Sequence, residues 1–198
     1  MSDEAAPEGA PIQYSILCPP GWTRVPARAI AEAEGVSAAF DRLRAAGRAD
    51  LWMQLRHLLA RYRRGVAESG AFETYMPPLI DGVMIPAVMV VSPLTRPPGV
   101  PWPAALARLS RGIEVRQADF TPVPMWTWRT AGRLPIDGEA LSNAQARYVV
   151  PVPSEGEALR ALSFDMTVLT PPDGKGADGT DALLLLGDLM LSTMRWLS

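Results

Sequence analysis

The stretch Phe72-Glu73-Thr74-Tyr75-Met76-Pro77-Pro78-Leu79-Ile80-Asp81-Gly82-Val83-Met84-Ile85-Pro86-Ala87-Val88-Met89-Val90-Val91-Ser92 decides the fold. Two β-rich runs, Phe72 to Ile80 and Val83 to Ser92, flank Asp81-Gly82. That dipeptide readily takes the positive φ angles of a two-residue hairpin turn. Pro77, Pro78 and Pro86 remove ladder donors, so these strands are expected at an edge or around a bulge.

Downstream, Thr95 to Pro103 reads as a Pro-rich loop and Ala104 to Arg111 as a short helix closed by Gly112. Two more strand pairs follow. Ile113 to Phe120 joins Met125 to Thr130 through residues 121–124, and Ala146 to Val152 joins Ala158 to Leu169 around Ser154-Glu155-Gly156. Ala131 to Asn143 reads as a loop between the pairs. Pro171 to Gly179 reads as a second loop, and Asp181 to Leu197 as a final helix.

Upstream the period changes to that of helices. Leu51, Leu55, Leu58, Leu59, Tyr62 and Val66 fall on one stripe of a 3.6-residue repeat, between an Asp50 cap and a Gly70 stop. Pro26 to Gly47 is Ala-rich and helical, broken near Gly35. Ile12 to Cys18 is a short strand stopped by Pro19-Pro20-Gly21. Strands joined by short turns pair antiparallel, and helices before, between and after them cover the sheet. The expected fold is therefore α+β, a mostly antiparallel sheet flanked by helices. Residues 1–11 form a flexible acidic tail and residues 12–198 a single domain. Leu51–Val66 and Leu183–Leu197 should each lay an apolar face on the sheet.

Composition narrows the chemistry. The chain has 198 residues, 48% of them hydrophobic, and a net charge of -2, so it is neither disordered nor a basic nucleic-acid binder. Its single cysteine, Cys18, excludes an intrachain disulfide and is expected to be a small buried hydrophobe. Its single histidine, His57, lies off the apolar stripe and reads as a surface residue. One Cys and one His leave no basis for a structural zinc site or a His-based triad. No leader or membrane-span pattern is present, so a cytoplasmic protein is expected.

Gly174-x-Gly176-x-x-Gly179 matches a dinucleotide fingerprint literally. The fingerprint also needs a second parallel strand and an acidic residue about 20 positions on, and the helix after it is the last element. Asp178 and Asp181 would also repel a phosphate, so a solvent loop is the reading. Charge is uneven. Residues 24–64 carry nine Arg against four acids, and residues 134–198 carry four basic against nine acidic residues. Arg61 and Arg64 belong to an arginine cluster on the polar face of the Leu51–Val66 helix, a solvated face or a site for an acidic partner. On Met125-Trp126-Thr127-Trp128-Arg129, the two tryptophans share one strand face and Arg129 lies on the other. This pattern is read either as core under a helix or as an aromatic contact patch.

Several pieces together resemble a known layout. These are Pro19-Pro20-Gly21-Trp22 after the first strand, Tyr75-Met76-Pro77, and Asp81-Gly82 through Ala87. Tyr148-Val149-Val150-Pro151-Val152-Pro153 and the closing Leu186-Gly187-Asp188-Leu189-Met190 and Ser192-Thr193-Met194-Arg195-Trp196 complete it. The pattern resembles an actinobacterial protein family whose layout is similar to the PsbP-like superfamily, an α/β sandwich. Eighteen Arg against one Lys, with 20 Pro, agrees with a high-GC genome. The resemblance implies a non-catalytic interaction module, a secretion-associated accessory or chaperone-like protein in a type VII setting. It carries no catalytic, cofactor or metal residues. The implied partner is a protein, such as a secreted effector or secretion component, with no nucleic acid and no membrane span. The candidate contact residues are Trp126, Trp128, Arg129, Arg61 and Arg64. The alternatives are a small-ligand carrier with an apolar pocket and a nucleotide-binding enzyme using residues 174–179.

Overall fold

The computed structural model describes residues 13–32, 45, 47, 63–80, 83–136, 139–154, 158–170 and 177–197. In chain order these form β1 (Gln13–Ser15), β2 (Thr23–Pro26), α1 (Ala27–Glu32) and α2 (residues 63–69), then β3 (Glu73–Met76), β4 (Leu79–Ile80), β5 (Val83–Met84) and β6 (Ala87–Thr95). They continue through α3 (Trp102–Leu109), β7 (Arg116–Gln117), β8 (Trp126–Ile136), β9 (Glu139–Pro151), β10 (Arg160–Thr170), α4 (Ala177–Ser192) and β11 (Arg195–Leu197).

The fold is α+β, sandwich-like, with helices flanking a large antiparallel sheet. Seven strands lie in the order β2-β3-β6-β10-β9-β8-β7, and every pairing is antiparallel. The expected hairpin is present: Ile80 pairs with Val83 and Leu79 with Met84 across residues 81–82. Pro77-Pro78 divides its first arm, so β4 and β5 form a small sheet of their own while β3 pairs with β6.

The two faces of the sheet carry separate cores, because alternate residues point to opposite sides. On one face Tyr75, Met89, Tyr148, Phe164 and Met166 are buried under Leu184, Met190, Leu191 and Met194 of α4 and its end. Tyr14 of β1 joins them, its ring edge-on to Phe164 at 5.4 Å. On the other face Trp128, Val149 and Ala161 are buried under Trp102 and Leu106 of α3.

Several expectations are corrected. Residues 131–143 are not a loop. They complete β8 and begin β9, paired without a break from Trp126↔Val149 to Ile136↔Glu139. In the sequence, Asp137-Gly138 stands between these last paired residues, the same dipeptide as between Ile80 and Val83. The final helix starts at Ala177 and ends at Ser192, where the Ser192 and Thr193 hydroxyls donate back to the Leu189 and Met190 carbonyls. Arg195–Leu197 is instead a strand, because β1 supplies it a ladder partner. The first strand is correspondingly short, Gln13–Ser15, and the Ile113–Phe120 strand shrinks to Arg116–Gln117. The short helix begins earlier, at Trp102. Pro101 takes the extended cap position, and Pro103 sits in the first turn, where no backbone donor is missed. Residues 1–11, most of the Leu51–Val66 stripe with His57 and Arg61, and Gly174 and Gly176 lie outside the described residues; Gly179 lies within α4.

Candidate aromatic and basic strand edge

β8 is next to the rim of the sheet. β7 covers it only at Thr127 and Trp126, which pair with Arg116 and Gln117. From Trp128 onward no strand lies beyond β8 among the described residues. The direction of its backbone groups follows from the neighbouring bond. The Ala118 N–H donates to the Met125 carbonyl at 2.9 Å, so Met125 faces outward. By the two-residue period, Thr127, Arg129, Ala131, residue 133 and Pro135 also turn their backbone groups outward. Pro135, which lacks an N–H, therefore costs β9 no ladder bond.

The tryptophans share a face, as their spacing requires. Trp128 is 6% exposed and belongs to the core under α3. Trp126 is half-buried with its ring centroid 6.1 Å from that of Trp102. α3 is itself anchored by Arg96, whose guanidinium donates to the carbonyls of Ala158 and Val100 and lies 5.6 Å over the Trp102 ring. The Trp102 indole N–H donates to the same Ala158 carbonyl at 2.8 Å. Across the ladder from Trp128, the Arg147 guanidinium lies 5.6 Å over its ring and pairs with Asp165. Trp128 thus offers a partner little surface of its own.

Arg129 occupies the opposite face, as expected, and pairs with Asp188 of α4 at 2.6 Å. The Tyr148 hydroxyl donates to the other Asp188 oxygen at 2.7 Å. Burial, and then this bond to a carboxylate, push the Tyr148 phenol well above its ordinary range. Of the two helix arginines, Arg64 is exposed on α2 and Arg61 lies outside the described residues. Trp126, Trp128 and Arg129 thus stand together on β8, and Arg64 lines none of the grooves beside that strand described below.

The segment after α3 runs beside this edge and opens three shallow grooves. It turns through Arg111 and Gly112, both at positive φ (53° and 87°), and the Ser110 hydroxyl donates to the Ile113 carbonyl at 2.7 Å. One groove, of about 550 Å³, runs between Arg108, Arg111 and Ile113 on one side and Trp128, Gln145 and Arg147 on the other. A second, of about 450 Å³, joins Ile113, Glu114, Arg116, Thr127, Arg129 and Asp188. The third, of about 350 Å³, lies over Trp126. Leu109 and Ile113 are more than a third exposed beside them. Arg108, Arg111 and Ile113 were not singled out in the sequence, because only the turn after α3 aims them at β8.

A second cluster also escaped the sequence, since Tyr14 and Arg24 lie 49 to 61 positions before the Glu73 and Tyr75 side chains they meet. Glu73 is 9% exposed and accepts hydrogen bonds from the Tyr14 hydroxyl and from Arg24. The Tyr75 hydroxyl lies 3.3 Å from both Tyr14 and Glu73. Burial pushes the Tyr75 phenol up to about 12 and raises Tyr14 further. Cys18 is half-buried against the same core. Burial raises its thiol above its ordinary value, with Arg24 opposing, so the thiolate a nucleophile needs is disfavoured. Among the described residues no three His, Cys, Asp or Glu side chains converge as metal ligands. No helix among them is long and apolar enough to cross a membrane.

No protein-family profile matches the chain, and no curated protein matches it. A solved structure from Bacteroides thetaiotaomicron VPI-5482 is similar at 12% identity and a TM-score of 0.40, over 65% of this chain. The chain spans 39% of that protein's length.

Proposed function

We propose that the protein is a non-catalytic protein-interaction module that engages its partner along the outer edge of β8. The observation that carries this reading is the run of outward backbone groups from Arg129 to residue 133. It has no strand beyond it among the described residues and is bordered by the grooves at Trp126, Trp128 and Arg129. An open edge of this kind pairs with an extended segment of another chain through main-chain hydrogen bonds. The more specific role, an accessory or chaperone-like protein of secretion, rests on the family resemblance. The test is affinity capture from the native host with the wild-type protein and with Ala131→Pro, which removes one outward N–H and no bond to β9. The same protein should be captured by the wild type and lost by the variant. Equal capture by both would refute the reading.

A further inference from the structure

The chemistry of the partner segment follows from what borders the edge. We infer that the β8 edge accepts an extended acidic segment of a partner protein, with its carboxylates on alternate residues; this deepens the interaction reading above and rests on it. Arg108, Arg111 and Arg147 converge on the groove that borders Trp128 and Gln145, and no carboxylate lines that groove. Arg147 is already paired with Asp165, whereas Arg108 and Arg111 are exposed and have no ion-pair partner among the described residues.

A strand added beside β8 places every second side chain on the Trp128 face, about 6.8 Å apart. Glutamates at those positions reach the arginine groove. The residues between them fall on the Arg129 face, where Asp188 already neutralises the guanidinium, so neutral side chains fit there. A shift of one residue would put the acids on the wrong face, so the alternation also fixes register.

Two other occupants fit less well. A second copy of this chain paired β8 to β8 about a two-fold axis would set one arginine groove against the other. A single-stranded nucleic acid would need open aromatic faces for stacking, whereas Trp128 is 6% exposed and Trp126 is tucked against Trp102. Only a peptide backbone can satisfy the outward amides in series.

The experiment uses the full chain and two fluorescent peptides, one alternating Glu and Val and one alternating Lys and Val. A single-stranded oligonucleotide is the third probe, and all are titrated by anisotropy at low and moderate salt. The acidic peptide should bind at least about tenfold more tightly than the basic one and weaken with salt. Arg108→Glu/Arg111→Glu, both at exposed positions, should reduce acidic-peptide affinity at least about tenfold. Ala131→Pro should do the same, while Ala131→Val, which keeps the amide, should bind as the wild type. Circular dichroism establishes that each variant is folded. Equal binding of the two peptides, indifference to the arginine reversal, tighter binding of the oligonucleotide, or an Ala131→Pro-sensitive homodimer would each overturn the inference. Loss of host-partner capture by Ala131→Pro without acidic-peptide preference sinks this inference alone. Host-partner capture untouched by Ala131→Pro sinks the interaction reading itself.

Discussion

Trp128 and Arg129 are neighbours in sequence with opposite energetic roles. The Trp128 ring fills the space between β8, β9 and α3, so Trp128→Ala should cost roughly 3–5 kcal/mol. Urea denaturation measures this, and a loss below about 1 kcal/mol would show that the ring contributes little to that core. Arg129 is half-exposed and its partner Asp188 sits near the surface. Arg129→Ala should therefore change stability by less than about 1 kcal/mol in the same assay. The shared face of the two tryptophans was legible in the sequence because strand alternation is strictly local. Which side of the sheet α3 would cover was not, since that depends on where the chain returns after β6. Glu73 shows the same limit more sharply. Nothing near it in sequence marks it for burial, and only the docking of β1 and β2 brings Tyr14 and Arg24 to its carboxylate.

Elements were legible wherever a turn dipeptide and alternation agreed. Asp81-Gly82 marked the first hairpin, in which Ile80 pairs with Val83, although beyond Pro77-Pro78 the pairing of β3 with β6 is one residue out of that register. The same dipeptide recurs at Asp137-Gly138, inside the stretch read as a loop, which also holds Gly132 and Pro135, residues that weaken a strand pattern. Both are accommodated for stated reasons. Pro135 turns outward, and Gly132 lies opposite Asn143, whose side-chain oxygen would be 2.9 Å from a Cβ there. Gly187 poses the same question in a helix. A Cβ at this position would lie 3.0 Å from the Tyr148 hydroxyl and 3.5 Å from Met166 Cγ. Helix propensity favours Ala over Gly by about 1 kcal/mol. Here the tyrosine cannot withdraw without leaving Asp188, and overpacking costs about 1–3 kcal/mol. Gly187→Ala should therefore be destabilising on balance, seen as a fall in Tm. Adding Tyr148→Phe removes the clashing hydroxyl, so the double variant should lose less than the sum of the single losses. Strict additivity would mean that α4 shifts freely on the sheet.

At the scale of the molecule, the first and last described strands lie together on one face of the sheet. β1 pairs with β11, and Tyr14 reaches from β1 into the core and to Glu73. The antiparallel layout was legible, because short turns leave adjacent strands no other option. The β1–β11 pairing was not, because Ser15 and its partner Arg195 are 180 positions apart in the sequence, and no local pattern encodes such a contact. This arrangement buries three phenols: Tyr14, Tyr75 and Tyr148 are all at most 3% exposed. In each the folded state favours the neutral form. Burial is the first cause in all three, and Tyr75 is carried from 10.0 to about 12. The unfolded chain ionises these groups near 10, while the folded protein keeps their protons. Stability is then fully present below about pH 10 and falls as pH rises, because the unfolded state gains by losing protons that the folded state holds. Cys18 acts in the same direction from a lower starting value, 9.0. The Tm should be flat from pH 7 to about 8.5, decline slightly as the thiol titrates, and drop steeply between about pH 10 and 12. Absorbance near 295 nm supplies the second reading. Phenolate from these three of the four tyrosines should appear only in step with unfolding. A protein that stays folded while all four tyrosines titrate together near pH 10 would show that the Tyr14–Glu73–Tyr75 cluster and the Tyr148–Asp188 bond do not exclude solvent.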